Sequence, residues 1–282
     1  ASGDAEVRHR VGAEMRGGAR RIRLDGKDIA SSLELEGLPR VLVYGPGSER
    51  LIAGGPEERR GALDWLVFHV EHRHGERMRE YQRNLAQRNA ALREGDLSAI
   101  KLWSQRLGEV GARVDAARRR VLEAFAPVFE LQAQRLLGRG VWTRYRSGWQ
   151  TDSTLGEALR GSAEADRERG WTGIGPHRAE VQVRAGSQDL RTEGSRGEQK
   201  LVAAAWFVAC LDFVRTPGGE VALVDDLAAE LDQASRARVL EALAGWHGQL
   251  FLTALEEGMF SNEGLSIDRV FHVEQGTVHR VV

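Results

Sequence analysis

Two short stretches of this chain carry residue types at spacings that could do chemistry. Ser195–Lys200 reads SRGEQK, and some 25 residues on, Val221–Asp232 reads VALVDDLAAELD. Ser195 and Glu198 have the spacing of a capping box, in which the serine hydroxyl and the glutamate satisfy backbone donors at the start of a helix. The same helix start, with Arg196 and Gly197 leaving amides open, offers a phosphate a partial positive charge and several donors. Plain capping explains the residues as well. Asp225 and Asp226 end an apolar strand, and burying both without a partner would be costly, so the pair is expected to face a metal or water. Asp225 is placed to hold a hydrated magnesium ion, which takes oxygen ligands and keeps several waters. Asp226, one residue on and aimed differently, could orient the water that attacks a γ-phosphate. Two exposed turn aspartates are the plain alternative.

The elements that must position these residues are legible in outline. Up to about Asp64 the pattern is strand-like: VRHRV, then ARRIRLDG with an Asp25-Gly26 turn, then RVLVY closed by Gly45-Pro46-Gly47. From about Asp64 the period becomes helical, with Met78, Tyr81, Leu85 and Leu92 on one face. After Gly95-Asp96, the residues Trp103, Leu107, Val110, Val114, Ala117 and Val121 alternate by four and three, a coiled-coil-like seam. The two helices predict an antiparallel arm with Arg118, Arg119 and Arg120 mostly outward. Trp149 to Gly170 reads as a helix and connectors. Strands then return at VQVRA, VALVDD, QLFLT and a final hairpin about Gly276, with a helix over Glu198–Val214 between two of them. The expectation is an α/β fold interrupted by a helical domain: residues 1–70 the first part of the head, 71–165 the arm, and 166–282 the second part.

The bulk numbers bound the class. The chain has 282 residues, 41% of them hydrophobic, with a formal net charge of −1. The charge is uneven. Residues 71–146 hold 16 Lys+Arg against 9 Asp+Glu, whereas 147–282 hold 13 against 21. Such a separation suggests a polyanion-binding surface in the middle and a carboxylate-lined site at the end, although charge runs are also ordinary solvated faces. The longest apolar stretch, near Leu201–Leu211, falls short of the roughly 20 residues that span a bilayer. The lone Cys210, among Val208, Ala209 and Leu211, reads as a buried, inert thiol, and a cytoplasmic location is expected.

SRGEQK, VALVDDLAAELD and QLFLTAL, in this order and spacing, resemble the signature, Walker B, D-loop and switch regions of ABC-type ATPases of the SMC class. More narrowly, GIGPHRAEV at Gly173–Val181, GGPEERRGALDWLVFHVEHR at Gly54–Arg73 and QRNAAL at Gln87–Leu92 are similar to the RecF family of DNA repair proteins. The resemblance covers nearly the whole chain. It implies an ABC-type ATPase head of the P-loop NTPase fold with an inserted helical arm. It further implies an ATP-dependent homodimer, slow ATP hydrolysis with Mg2+, DNA binding at gaps or single-strand/duplex junctions, and cooperation with the RecR and RecO proteins. By position, Ser195, Arg196, Gly197 and Gln199 would serve the nucleotide of the opposite subunit. Asp225 would serve the magnesium, Asp226 would be the catalytic carboxylate, Asp232 the D-loop aspartate, and Thr253 would fall where many such ATPases have histidine.

The chain departs from the pattern in places. Arg196 replaces a second signature glycine, as RecF proteins also show; Ala229 stands where serine is usual; and Leu255 follows a shortened Thr-Ala pair. No G-x-x-x-x-G-K-[ST] loop is present, since none of the three lysines, Lys27, Lys101 and Lys200, ends such a pattern. The chain opens at Ala1 and enters the resemblance part-way through the first lobe, so it is read as a fragment lacking an N-terminal strand, P-loop and following helix. Two other readings follow: a non-hydrolytic DNA-binding or scaffolding module, and another SMC-like cassette ATPase. The short arm and the lack of zinc-hook cysteines weigh against the latter.

Smaller candidates remain. Arg59, Arg60, Arg73 and Arg77, with Arg79 and Arg83, have the charge to meet DNA phosphates, though a solvated helix face has the same composition. His69, His72 and His74 with Glu71 do not have zinc-site spacing. Gly175-Pro176-His177-Arg178 fits either a ligand contact or a rigid turn before a strand.

Overall fold

The computed structural model describes residues 9–17, 19–29, 38–71, 73–214, 219–227, 231–255 and 265–281. The chain opens with an antiparallel sheet of β1 (Val11–Arg16), β2 (Ala19–Leu24) and β3 (Lys27–Asp28), with Asp25-Gly26 turning β2 into β3. Of the expected strand VRHRV, Val7 and Arg8 lie outside the described residues, and Val11–Arg16 is the stretch in register with β2, from Val11↔Leu24 to Arg16↔Ala19.

The sheet that matters for the site is parallel. It has the order β4 (Arg40–Tyr44), β8 (Glu220–Val224), β9 (Gln249–Leu252). Alternation along the strands sends Leu42, Tyr44, Ala222 and Val224 to one face, where they are buried beneath α7 (Arg196–Phe213) and α8 (Gln233–Ala244). Helix α7 is apolar on nearly all sides, as a helix sunk in the core must be. Val41, Val43 and Phe251 take the opposite face and are exposed.

The helical pattern begins earlier than Asp64. Helix α1 (Arg50–Ala53) is followed by α2 (Pro56–Val70). The start signals were there to read: Gly55 precedes the helix, Pro56 occupies its first turn with no amide to lose, and Glu57 and Glu58 face the positive end of the dipole. Helix α3 (His74–Glu94) ends at Gly95 in the left-handed region, φ 74°, and Asp96 caps α4 (Leu97–Leu137) by accepting the Ala99 amide. At 41 residues α4 is roughly 60 Å long.

Its seam faces inward as expected. Leu107, Val110 and Val114 pack with Tyr81, Leu155 and Leu159, whereas Ala117, Val121, Phe125 and Phe129 enter the large core shared with α7. Phe125 and Phe129 lie 4.7 and 5.4 Å from the Trp206 ring. The expectation for Arg118 fails. Its guanidinium is buried, gripped by both oxygens of Asp64 on α2 at 2.8 and 2.7 Å, and donates to the Pro176 carbonyl. Arg119 and Arg120 stay at the surface, Arg120 on Glu71.

Two short helices, α5 (Leu155–Gly161) and α6 (Ala163–Arg169), fill the segment before Gly170. Gly108 and Gly111 of α4 let α5 approach closely: a Cβ at Gly108 would lie 2.7 Å from the Gly156 Cα. A second antiparallel sheet, β5 (Trp142–Arg146), β6 (Glu180–Ala185) and β7 (Gln188–Asp189), leads to α7, and β10 (Phe271–Glu274) and β11 (Thr277–Arg280) form the hairpin about Gly276.

Candidate functional site

The start of α7 is the capping box the sequence announced. Ser195 Oγ accepts the Glu198 amide at 3.3 Å and Glu198 Oε2 accepts the Ser195 amide at 2.8 Å. The Ser195 backbone hydrogen bond, helped by Arg139, holds the Glu198 carboxyl below its ordinary range. Ser195, Arg196 and Gly197 are exposed, and a Cβ at Gly197 would meet nothing within 4 Å, so the helix start is open to a close approach. Gln199 is a correction. It is buried, and its amide nitrogen donates to the carbonyls of Leu190 (2.9 Å) and Arg191 (3.1 Å), bracing the loop before the helix instead of joining the exposed face.

The carboxylates stand where β8 runs out. The Asp225 amide continues the ladder by donating to the Tyr44 carbonyl at 2.8 Å, and the Thr253 amide donates to Val224 at 3.0 Å. Thr253 then ties the two aspartates together. Its hydroxyl donates to Asp225 Oδ1 at 2.5 Å and accepts the Asp226 amide at 3.0 Å. Asp226 sits at φ 48°, a left-handed conformation that aspartate adopts more readily than most residues. Asp225 is exposed, so its carboxylate is open to a hydrated cation. Among the described residues no three His, Cys, Asp or Glu side chains gather to bind a metal directly. A magnesium ion held through water by Asp225 fits that donor set.

Two residues of this site escaped the sequence reading. Gly45 follows β4 so closely that a Cβ there would lie 3.0 Å from the Asp225 Cβ, and its amide is held by Ser48 Oγ at 3.0 Å. Tyr44 sends its hydroxyl to the Lys200 carbonyl at 3.3 Å, so one residue touches the strand end through its backbone and α7 through its side chain. The Gly45-Pro46-Gly47 punctuation was the available signal. Asp232 caps α8: its carboxylate accepts both the amide (3.0 Å) and the hydroxyl (2.8 Å) of Ser235, which lowers its pKa, the backbone bond contributing most. Ala229 lies outside the described residues.

The basic candidates separate. Arg59 is a second correction: it is buried, pairs with both Glu180 oxygens at 2.9 and 3.1 Å, and donates to the carbonyls of Leu51, Ile52 and Gly54. Those unpaired carbonyls of α1 draw it in, away from any phosphate. Arg60 is half-buried on the Ala179 carbonyl, Arg77 pairs with Glu71, and Arg73 is exposed. His69 packs on Trp65 and Phe68, His74 bonds Asp64, and His72 is outside the described residues. His177 is a pin: Nε2 faces the Thr172 carbonyl and so carries the proton, leaving Nδ1 to accept from the Tyr81 hydroxyl at 2.7 Å. Burial lowers its pKa and keeps it neutral. Cys210 is buried and its pKa raised, as an inert thiol requires. No helix among the described residues is long and apolar enough to cross a membrane.

Comparison with known proteins gives this geometry a context. No family model matches the chain. A DNA replication and repair protein RecF of Thioalkalivibrio sulfidiphilus is 36% identical over 265 residues, covering 91% of this chain and 72% of that protein. That of Azotobacter vinelandii is 36% identical over 285 residues, covering 98% and 77%. A solved structure of the recombination mediator protein RecF with ATP, in the RecFOR pathway, superposes with a TM-score of 0.78 at 21% identity, over 94% of this chain and 74% of that one. The fold is therefore the mixed α/β fold of an ABC-type ATPase head that the sequence motifs led one to expect.

Proposed function

The chain belongs to the RecF family of DNA replication and repair proteins, and on that premise we propose that it is a recombination mediator that engages DNA at single-strand gaps or junctions under the control of ATP. In this reading two subunits clasp ATP between them. Ser195, Arg196 and Gly197 of one subunit present the open start of α7 to the nucleotide of the other. Asp225 is the residue that would hold a magnesium ion, which would supply charge neutralisation at the phosphates. Asp226 accepts hydrogen bonds from the attacking water and positions it for slow hydrolysis. Asp232 shapes the turn into α8. DNA, a second copy of the chain, and the RecO and RecR proteins are the partners.

The observation that supports this most is the Thr253 bridge. One hydroxyl fixes the Asp225 carboxylate and the Asp226 backbone, so the two aspartates point in different, defined directions at one strand end. Two unconstrained turn aspartates would not require such a clamp. The test adds a strand, Walker A loop and helix ahead of Ala1. ATP turnover by that chimera should disappear with Asp226→Asn while ATP-induced dimerisation persists. Undiminished turnover removes Asp226 from the role.

A second reading is favoured by one fact: these 282 residues contain no Walker A pattern. On it, the chain is a non-hydrolytic DNA-binding or scaffolding module. Nucleotide titration of the chain decides between them, since tight ATP binding by these residues alone contradicts the second.

A further inference from the structure

We propose that Trp171, Arg169, Arg178 and Arg60 form a nucleic-acid contact on the outer side of the Gly175–Arg178 turn, gripping two successive phosphates of a strand. The proposal rests on the DNA-binding reading above and names the residues through which it acts.

Three features of the cluster point to a polyanion. The first is how the guanidiniums are held. Trp171 is 40% exposed, and the guanidinium carbons of Arg178 and Arg169 lie 4.6 and 5.1 Å from its ring centroid. A guanidinium held over a ring by cation–π attraction spends no N–H donor on that contact and keeps its donors for phosphate oxygens. Arg169 is steadied further by Asp166 at 2.6 Å.

The second is unmatched charge. Arg178 is exposed and has no carboxylate partner among the described residues; the Trp171 ring is what holds it. Arg60 reaches the same turn by donating to the Ala179 carbonyl at 2.8 Å, and it too has no ion-pair partner there. Of the nearby carboxylates, Glu57 acts on Arg60 only through its field, without an ion pair, and Asp64 is engaged by Arg118 and His74. Asp166 is occupied by Arg88, Arg169, Ser162 and the Gly173 amide, and Glu180 by Arg59. Burial, with Arg118 close by, pulls Arg60 below the ordinary arginine pKa, a strain that an anion would relieve.

The third is rigidity. His177 bonds Tyr81 and Thr172, Arg118 holds the Pro176 carbonyl at 2.6 Å, and Gly148 accepts the Gly175 amide. A turn pinned at each residue presents its arginines without ordering cost. Cations stacked on an exposed indole suit a strand that offers phosphates and flat rings together.

The test measures binding of a fluorescein-labelled oligonucleotide, with a single-strand/duplex junction, by anisotropy across a salt series, using the 282-residue chain. Arg178→Gln, an exposed change that leaves the fold intact by circular dichroism, should weaken binding about three- to tenfold and lower the slope of log K against log salt by about 0.7 to 0.9, one phosphate contact. The Arg60→Gln, Arg178→Gln double variant should lower it by roughly twice that. Trp171→Phe keeps a ring and should bind nearly as the parent, whereas Trp171→Ala should match Arg178→Gln. Arg113→Gln, exposed on α4, is the charge control. A parent chain that binds while Arg178→Gln keeps its affinity and slope, or while Arg113→Gln loses as much, overturns the site and leaves the DNA-binding reading standing. A parent that binds no DNA, either as this chain or as the Walker A chimera with ATP, overturns that reading itself.

Discussion

The Thr253 hydroxyl donates to Asp225 Oδ1 at 2.5 Å while accepting the Asp226 amide at 3.0 Å. One rotor therefore fixes a side chain and a backbone at once. Thr253→Val keeps the shape and removes both bonds. It should lower unfolding stability by about 1 kcal/mol, at the low end because the site is exposed. Thr253→Ser, which keeps the hydroxyl, should restore most of it. Urea denaturation of the three proteins checks the order.

The two signature residues should part in their effects. Ser195→Ala removes a helix cap worth about 1 kcal/mol, and in the Walker A chimera it should also abolish ATP-induced dimerisation. Gln199→Ala strands the Leu190 and Arg191 carbonyls and should cost about 1–3 kcal/mol. Dimerisation of folded Gln199→Ala, measured by light scattering, should persist. Its loss would return Gln199 to the nucleotide face.

Arg88 and Asp166 make a fully buried ion pair at 2.8 Å, with Ser104, Thr172 and the Leu159 carbonyl completing the arginine's bonds. Breaking it from one side with Asp166→Ala leaves a buried, uncompensated guanidinium and should cost roughly 3–5 kcal/mol. Burial alone would raise the Asp166 pKa, but Arg169, Arg88, the Gly173 amide and Ser162 outweigh it and hold the carboxyl below its ordinary value. A depressed carboxylate contributes its stability above the unfolded pKa, about pH 4, and loses it as pH falls through the folded value. The parent should therefore lose stability as pH falls below about 4, and the variant's pH dependence over that window should flatten.

At Gly108 a new side chain meets backbone, so there is no flexible group to yield. Gly108→Ala gains helix propensity yet should destabilise by about 1–3 kcal/mol through the forced separation of α4 and α5. Gly61, with nothing within 4 Å of its would-be Cβ, is the contrasting position. There Gly61→Ala should stabilise by about 0.5–1 kcal/mol. Thermal melts of both separate packing from propensity.

Local chemistry was the legible part of this molecule. The Ser195–Glu198 box, the strand closing on Asp225-Asp226, the Gly95 stop and the α4 seam are each set by residues within a turn or two of one another. What escaped is long-range pairing. Arg118 flanks the seam and reads as outward until Asp64, 54 residues earlier, supplies a carboxylate to draw it in. Arg59 answers to Glu180, 121 residues away. The arginine fates depend on which distant element arrives, and helical period alone does not encode that. Tyr44 and Gly45 were missed for the same reason: their importance comes from a neighbour strand that lies far along the chain.

Helix α4 runs unbroken from the Asp96 cap to Gly138, with Val110 and Val114 in one packing cluster and Phe125 and Phe129 against Trp206 of α7 in another. Mechanically it is a crank with its bearing on the back of α7. Its interior proline, Pro127, where a kink is expected, lies between Phe125 and Phe129, so the helix's natural joint rests on Trp206 and a push on the arm is delivered there. The helix whose tip is Ser195 is thus geared to whatever leans on the arm.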